Sequence, residues 1–516
     1  MPELPRPIDR RTFLGATATA AAMVVRATGP TDAASRVSQV IGPATPSADA
    51  HPMKGARPLN IILIVSDTFR YDHLAFHGKK PIRTPELDAF ARESVVFDEA
   101  HVSSFPTIPH RTDMVTGRYG FPFYPWRPLQ PDQLTLAAHL ARHGYVNQLI
   151  ADCPHLMSHE YNFSRGFHGF YWVRGQEGDV PFTRMNYPIP RRMKHEKTRL
   201  KPLVFGEPLV NLSGWTNREW TWEGDRFAAQ TARLADKWLE ENYRAERFFL
   251  WVDFFDVHEP WDPPEYLVDL YDPGYKGDPM LHPNYGHASA YTPEELHNLW
   301  AHYAAECTLV SKHAGLLLRK IEDLGLFEKS VVVFTADHGM YIGEHDRTGK
   351  SNLSDEDERG EWPLYEEITH IPLLIRAPGI APRRVAKHLV QPVDILPAVL
   401  DLGGVPLPEG IHGHSLKPLM TGKAEWPRKV AYCSQALAAD RAGSPRTTIR
   451  DDRWTLIIGG KEGAAPELYD LRSDPAQERN VFAAHRDVAE RLHRDFLQWL
   501  RQVGTDEGKI KALANF

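Results

Sequence analysis

Short apolar runs recur along the chain from about residue 57, separated by stretches of helical periodicity. Residues 60–65, Asn-Ile-Ile-Leu-Ile-Val, are apolar over strand length with no polar face, the pattern of a strand covered on both sides of a parallel sheet. Residues 145–150, 248–254, 331–335 and 372–375 repeat it. Thr84-Pro85 places a capping residue before a proline at a first helical position. Thr292-Pro293-Glu294-Glu295 is a capping box, and the long helix it opens can stop at Gly325. Strands alternating with helices predict an α/β fold with a large central, mostly parallel sheet flanked by helices. After about residue 410 the strands shorten. Residues 447–449 and 454–458 flank Asp451-Asp452 as a hairpin, and 486–503 is an amphipathic helix, which predicts a smaller α+β domain over 411–516 beside a larger domain over 57–410.

Composition narrows the class. The 516 residues are 42% hydrophobic and 25% charged, enough apolar material for a large core, which excludes a disordered or collagen-like chain. A net charge of −7 gives no electrostatic reason to expect a nucleic-acid partner. The three cysteines, Cys153, Cys307 and Cys433, are too few and too scattered for a zinc ribbon or a disulfide framework. At the N-terminus, Arg10-Arg11 precedes an Ala-rich run from Gly15 to Val25 that is too short to span a bilayer. It resembles a twin-arginine export signal, so residues 1–50 are expected to be a signal and linker, with a periplasmic or secreted bacterial protein as the product. No apolar run long enough for a membrane anchor is present.

Chemistry-bearing residues stand where the apolar runs stop, the place where open α/β sheets bind ligands. Asp67 follows the first run, Asp337-His338-Gly339 follows 331–335, and His258 follows 248–255. Carboxylates with an imidazole make a metal-ligand set, although each alone reads equally as a cap or a structural residue. The segment Ser104 to Arg118 places Thr107 before Pro109 and Arg111, with Thr116-Gly117 as a stop. A hydroxyl at a helix N-terminus sits in the positive end of the dipole, which favours an oxyanion there. Arg111, one turn on, is positioned to hold Thr107 and a bound oxyanion by charge-assisted hydrogen bonds.

Thr107-x-Pro109-x-Arg111 with Thr116-Gly117 resembles the sulfatase signature of the alkaline phosphatase superfamily. The resemblance extends over roughly residues 57–482. It takes in Asp67, His258-Glu259-Pro260, Asp337-His338-Gly339, Gly343-Glu344-His345, Gly349-Lys350, Tyr365-Glu366-Glu367 and Glu467-Leu468-Tyr469-Asp470-Leu471. It implies an alkaline-phosphatase-like fold and hydrolysis of a sulfate or phosphate ester of a small molecule or glycan. It also implies one divalent cation, Ca²⁺ or Mn²⁺ ahead of Mg²⁺ or Zn²⁺, held by Asp67, Asp337, His338 and Thr107. His258 and Lys350 would then face the transferring group and its leaving oxygen, and Arg111 would fix the nucleophile.

Three departures from the family pattern bear on the reaction. Position 107 is Thr, where sulfatases carry a Cys or Ser that becomes formylglycine. With one hydroxyl, an esterified Thr107 must be opened by water, a route that superfamily phosphatases and phosphodiesterases take with Ser or Thr, so a phosphodiesterase or phosphonate monoester hydrolase using Thr107 directly is the alternative reaction. A degenerate member that only binds sulfated glycan is the non-enzymatic alternative. The usual second acid after the first ligand is Thr68, and the Lys expected near residue 150 is missing, with Asp152 or His155 as substitutes or structural residues. Asp256, His258, His345 and His155 are candidate ligands for a second metal. His370, His412 and His414 read as loop residues, and Tyr119–Trp126 as a packed loop or a pocket mouth.

Overall fold

The apolar runs form strands and pack side by side. In the computed structural model, which describes residues 58–158, 160–182, 209–353, 360–423, 425–439, 445–460 and 464–514, they build an eight-stranded sheet. Its order is Arg383–Val385, Val95–Phe97, Leu373–Arg376, Ser330–Ala336, Asn60–Ser66, Phe248–Phe254, Val146–Ala151 and Gly169–Trp172. The three central strands are buried at every position, which explains why their sequences show no alternation. All pairings are parallel except those of Leu373–Arg376, which runs antiparallel to both neighbours. The expected export segment, residues 1–50, lies outside the described residues.

Helices cover the sheet in two groups. Pro85–Arg92, Phe227–Asn242 and Pro293–Asp323 pack on one another, and Thr107–Thr116, Leu136–Arg142 and Ile395–Gly403 form the second group. The capping box of the longest helix is present as the sequence predicts. Thr292 Oγ1 accepts from the N–H of Glu295, and Glu295 Oε2 accepts from the N–H of Thr292 at 2.8 Å. Gly325 follows its last turn at φ +63°, a left-handed conformation that glycine adopts without a Cβ penalty. None of the described helices is long and apolar enough to cross a membrane.

The smaller sheet is a four-stranded antiparallel array, Ala431–Cys433, Thr447–Arg450, Trp454–Ile458 and Glu467–Asp470, backed by the helix Arg486–Gln502. Its hairpin turn is closed by Asp451, whose Oδ1 accepts from the N–H groups of Arg453 (2.8 Å) and Trp454 (2.7 Å). An edge of this sheet grips the segment leading into the Thr107 helix. Phe105 N–H donates to Ser434 O at 2.9 Å, and Ser434 N–H to Ser103 O at 3.0 Å. The three cysteines are buried and unbridged.

Candidate active site

Three neighbouring parallel strands deliver three carboxylates to one place. Asp67 and Asp337 follow Asn60–Ser66 and Ser330–Ala336, and Asp253 lies within Phe248–Phe254, paired in register with Val65. All three are fully buried, and so is Arg111, which the helix Thr107–Thr116 inserts between them. Arg111 Nη1 donates to Asp337 Oδ2 at 2.5 Å and to Asp67 Oδ2 at 3.1 Å. Its Nε and Nη2 clasp Asp253 as a two-pronged fork, both at 2.9 Å. Arg111 reaches Thr107 through the backbone carbonyl, at 3.4 Å, rather than through the hydroxyl expected from the sequence.

Thr68, which stands where the family has a second acid, holds the other two ligands in place. Its φ of 59° is a left-handed conformation that costs a β-branched residue on the order of 1–3 kcal/mol. That turn aims its N–H at Asp337 Oδ1 (2.8 Å) and lets its hydroxyl donate to Asp67 Oδ1 (2.7 Å). Asp337 Oδ1 accepts a second bond from the N–H of His338 at 2.8 Å.

The donor set fits a divalent cation. Asp67, Asp337 and His338 each present a ligand atom within 4.8 Å of the others. Three buried carboxylates face one guanidinium, so the group carries excess negative charge. Burial and the adjacent Asp337 push the Asp67 carboxyl well above its usual range. Burial opposes ionisation of Asp337 too, but His338 and Arg111 hold it well below. His338 Nδ1–H donates to Gly339 O at 3.0 Å, which leaves the Nε2 lone pair open, 3.5 Å from Thr107 Oγ1.

His258, Glu259 and Lys350 form the next layer. His258 Nδ1–H donates to Glu259 O at 2.7 Å, and burial lowers the ring's pKa to about 4, so His258 is a neutral imidazole with Nε2 open. Its ring stacks on Phe255 with centroids 4.2 Å apart. Lys350 Nζ lies 3.6 Å from Glu259 Oε2, and the Tyr285 hydroxyl donates to Glu259 Oε1. The Lys350 charge acts on Asp67, His258 and His338, which ties it to the same centre.

Other sequence candidates fall outside the Asp67–Asp337–His338 donor group. Asp152 accepts from the N–H of Phe255 (2.7 Å) and shares Gln176 with Asp256, whose second oxygen accepts from the N–H of Ala228 (3.0 Å). Burial and Asp256 raise the Asp152 carboxyl well above the carboxylate range. His155 pairs with Glu177 at 2.9 Å, and His345 stacks on Tyr365 with centroids 4.0 Å apart. Among the described residues, neither group with metal-ligand spacing includes Asp256, His155, His258 or His345. Tyr119 and His412 stack and line a cavity of about 410 Å³ with Tyr432 and Trp499, while Phe121 is buried in the core of the smaller sheet. Asp253 and Glu259 were legible only as an acid inside an apolar strand and an acid beside His258, signals that require a buried cation without saying which.

Buried neutral histidines make the fold acid-sensitive. His110, on the Thr107 helix, is fully buried with no partner on either ring nitrogen, and burial lowers its pKa from 6.5 to about 3. Below pH 6.5 the unfolded chain takes up a proton that the folded chain refuses. This contribution is therefore complete above that pH and is lost as pH falls, by about 1.4 kcal/mol per unit. Denaturant melts from about pH 7 down to pH 4 are expected to show a shallower loss of stability in His110→Leu than in the parent chain. Equal slopes would remove His110 from this account.

Sheet order, buried cation and strand-end ligands define an ester-hydrolase architecture, and comparison with known proteins gives it a family. The sulfatase family model matches residues 59–405, and the model described as N-sulphoglucosamine sulphohydrolase, C-terminal, matches residues 360–502. The chain belongs to the sulfatase family. It is 24% identical to human (Homo sapiens) arylsulfatase K, over 90% of this chain and 91% of that one. It is 24% identical to the chicken (Gallus gallus) arylsulfatase K, over 88% and 84%. Among solved structures, the phosphonate monoester hydrolase of Agrobacterium radiobacter aligns with a TM-score of 0.65 at 23% identity, covering 86% of this chain and 96% of that one. A protein solved in complex with its substrate D-glucosamine-2-N,6-O-disulfate aligns with a TM-score of 0.63 at 20% identity, covering 88% and 98%. The chain is thus a hydrolase of the sulfatase family.

Proposed function

We propose that this chain hydrolyses a sulfate ester of a small molecule or glycan, with Thr107 Oγ1 as nucleophile. The observation that carries the reading is the Thr107 hydroxyl at the helix N-terminus, 3.5 Å from the open His338 Nε2 and beside the Asp67–Asp337 pair. Asp67, Asp337, His338 and the Thr107 hydroxyl would hold one divalent cation. When bound, it would act as a Lewis acid on the ester oxygens and favour the ionised nucleophile. Arg111 keeps the two carboxylates together without taking part in bond making.

The tautomers support the remaining roles. Attack by the ionised Thr107 Oγ1, its proton released to bulk water, forms a bond to the sulfur while the bond to the leaving oxygen breaks. Lys350 supplies positive charge, or a proton, to that oxygen. His258 has Nε2 open and no proton on it, so it acts as a base, accepting a proton from the water that attacks the Thr107 ester and regenerates the hydroxyl. Glu259 holds His258 and Lys350 in one orientation. Export through the Arg10-Arg11 signal, to the periplasm or outside, is part of the same proposal.

Thr107 itself favours a second reading, cleavage of a phosphorus ester, because a residue with one hydroxyl has no elimination route and must rely on water. Matched aryl sulfate, aryl phosphodiester and phosphonate monoester substrates, assayed with chelated and metal-restored protein, separate the two. The first reading expects the sulfate to give the highest kcat/KM and chelation to lower it on the order of 10²-fold or more. A diester preference moves the reading to phosphorus, and activity indifferent to chelation sinks the cation.

A further inference from the structure

A second donor group lies outside the active site. A bridge pairs His101 with His370, beside Glu366 on the short helix Glu366–Thr369. Each of these three residues offers a donor atom within 4.8 Å of the others. Hydrogen bonds decide which nitrogens are open. His370 Nε2 lies 2.7 Å from the carbonyl of Asp98, which can only accept, so Nε2 carries the proton. His370 Nδ1 faces Glu366 Oε2, 3.2 Å away, and would give up any proton it carries on binding a metal. His101 Nε2 donates to Glu99 Oε2 at 3.2 Å, leaving a Nδ1 that is buried with no partner, in a side chain only 2% exposed.

We infer that His101, His370 and Glu366 bind a zinc ion. Two imidazole Nδ1 atoms and one carboxylate oxygen form a three-ligand zinc set, and the nitrogens disfavour Ca²⁺ and Mg²⁺. The outer partners are those a zinc site uses. Glu99 and the Asp98 carbonyl hold the far sides of the rings, and Arg450 binds Glu366 Oε1 and, at 2.5 Å, Glu99 Oε2. A cavity of about 320 Å³, lined in part by Glu99, Glu366 and His370, opens a path for the ion. The role is structural. The Glu366 helix accepts the Gly339 N–H at Ile368 O (2.9 Å), so the loop bearing Asp337 and His338 rests on it, and Arg450 belongs to the smaller sheet. Zinc would pin these pieces together while touching no reacting atom.

The test uses full-length, chelator-stripped protein reconstituted with zinc chloride and desalted. An Asp337→Asn/His338→Gln background disables the active-site donors. About one zinc per chain is expected to remain in that background, and zinc affinity to fall at least tenfold when His370→Gln or His101→Gln is added. Zinc is expected to raise the melting temperature of the background, and not that of either added variant. Metal-free melts verify that each variant folds. Zinc-edge X-ray absorption on the background alone reports the ligands directly, so a variant that fails to fold leaves the question decidable. Two imidazoles bound support the site. No retained zinc in the background, binding unchanged by both substitutions, or a spectrum with fewer than two imidazoles overturns it.

Discussion

Thr107→Ala is expected to lower kcat on the order of 10⁴-fold against the preferred ester, with KM changed far less and the fold retained. The hydroxyl stands at the first position of its helix, almost fully buried, where the dipole favours the ionised oxygen. Water in its place lacks both the fixed position and the effective concentration that a tethered nucleophile provides. Thr107→Ser, which keeps the hydroxyl, is expected to stay within about tenfold of the parent. Steady-state kinetics with circular dichroism on both variants check this. An alanine variant within about tenfold of the parent would leave Thr107 without a catalytic role and return the bond-making step to water.

Arg111→Met is expected to cost about 3–5 kcal/mol of folding stability, read as a lower denaturant midpoint at neutral pH. The side chain is one of the largest fully buried among the described residues, and it bridges Asp67, Asp253 and Asp337. Its removal leaves three buried carboxyl groups without the guanidinium that joins them, and burial already presses Asp67 and Asp253 toward protonation. Asp253→Leu in the same chain removes one of those stranded charges, so the double variant is expected to recover part of the loss. Strict additivity of the two substitutions would mean that the fork between Arg111 and Asp253 contributes nothing measurable.

Much of this architecture is legible in the chain. Runs without a polar face predict the central strands because a sheet covered on both sides has no wet side to mark. The capping box at Thr292 and the turn at Asp451 are readable because their partners lie two or three residues away. Local reasoning fails at Leu373–Arg376, whose apolar run carries no sign of its antiparallel direction. It fails at Arg111 too, where a four-residue spacing suggested contact with the Thr107 hydroxyl. The guanidinium goes instead to carboxylates from three separate strands, 44, 142 and 226 residues away.

Family, strand identity and the strand-end donors Asp67, Asp337 and His338 thus follow from residue order, since each depends on a local pattern or a motif. Tertiary structure decides the rest: Asp253 as the counter-charge to Arg111, Thr68 as the clamp on two ligands, the open nitrogens of His258 and His338, and the pairing of His101 with His370. The physical reason is common to all of them. Charge balance and tautomer depend on which groups share a buried space, and that is set by strand register and helix packing between segments remote in sequence.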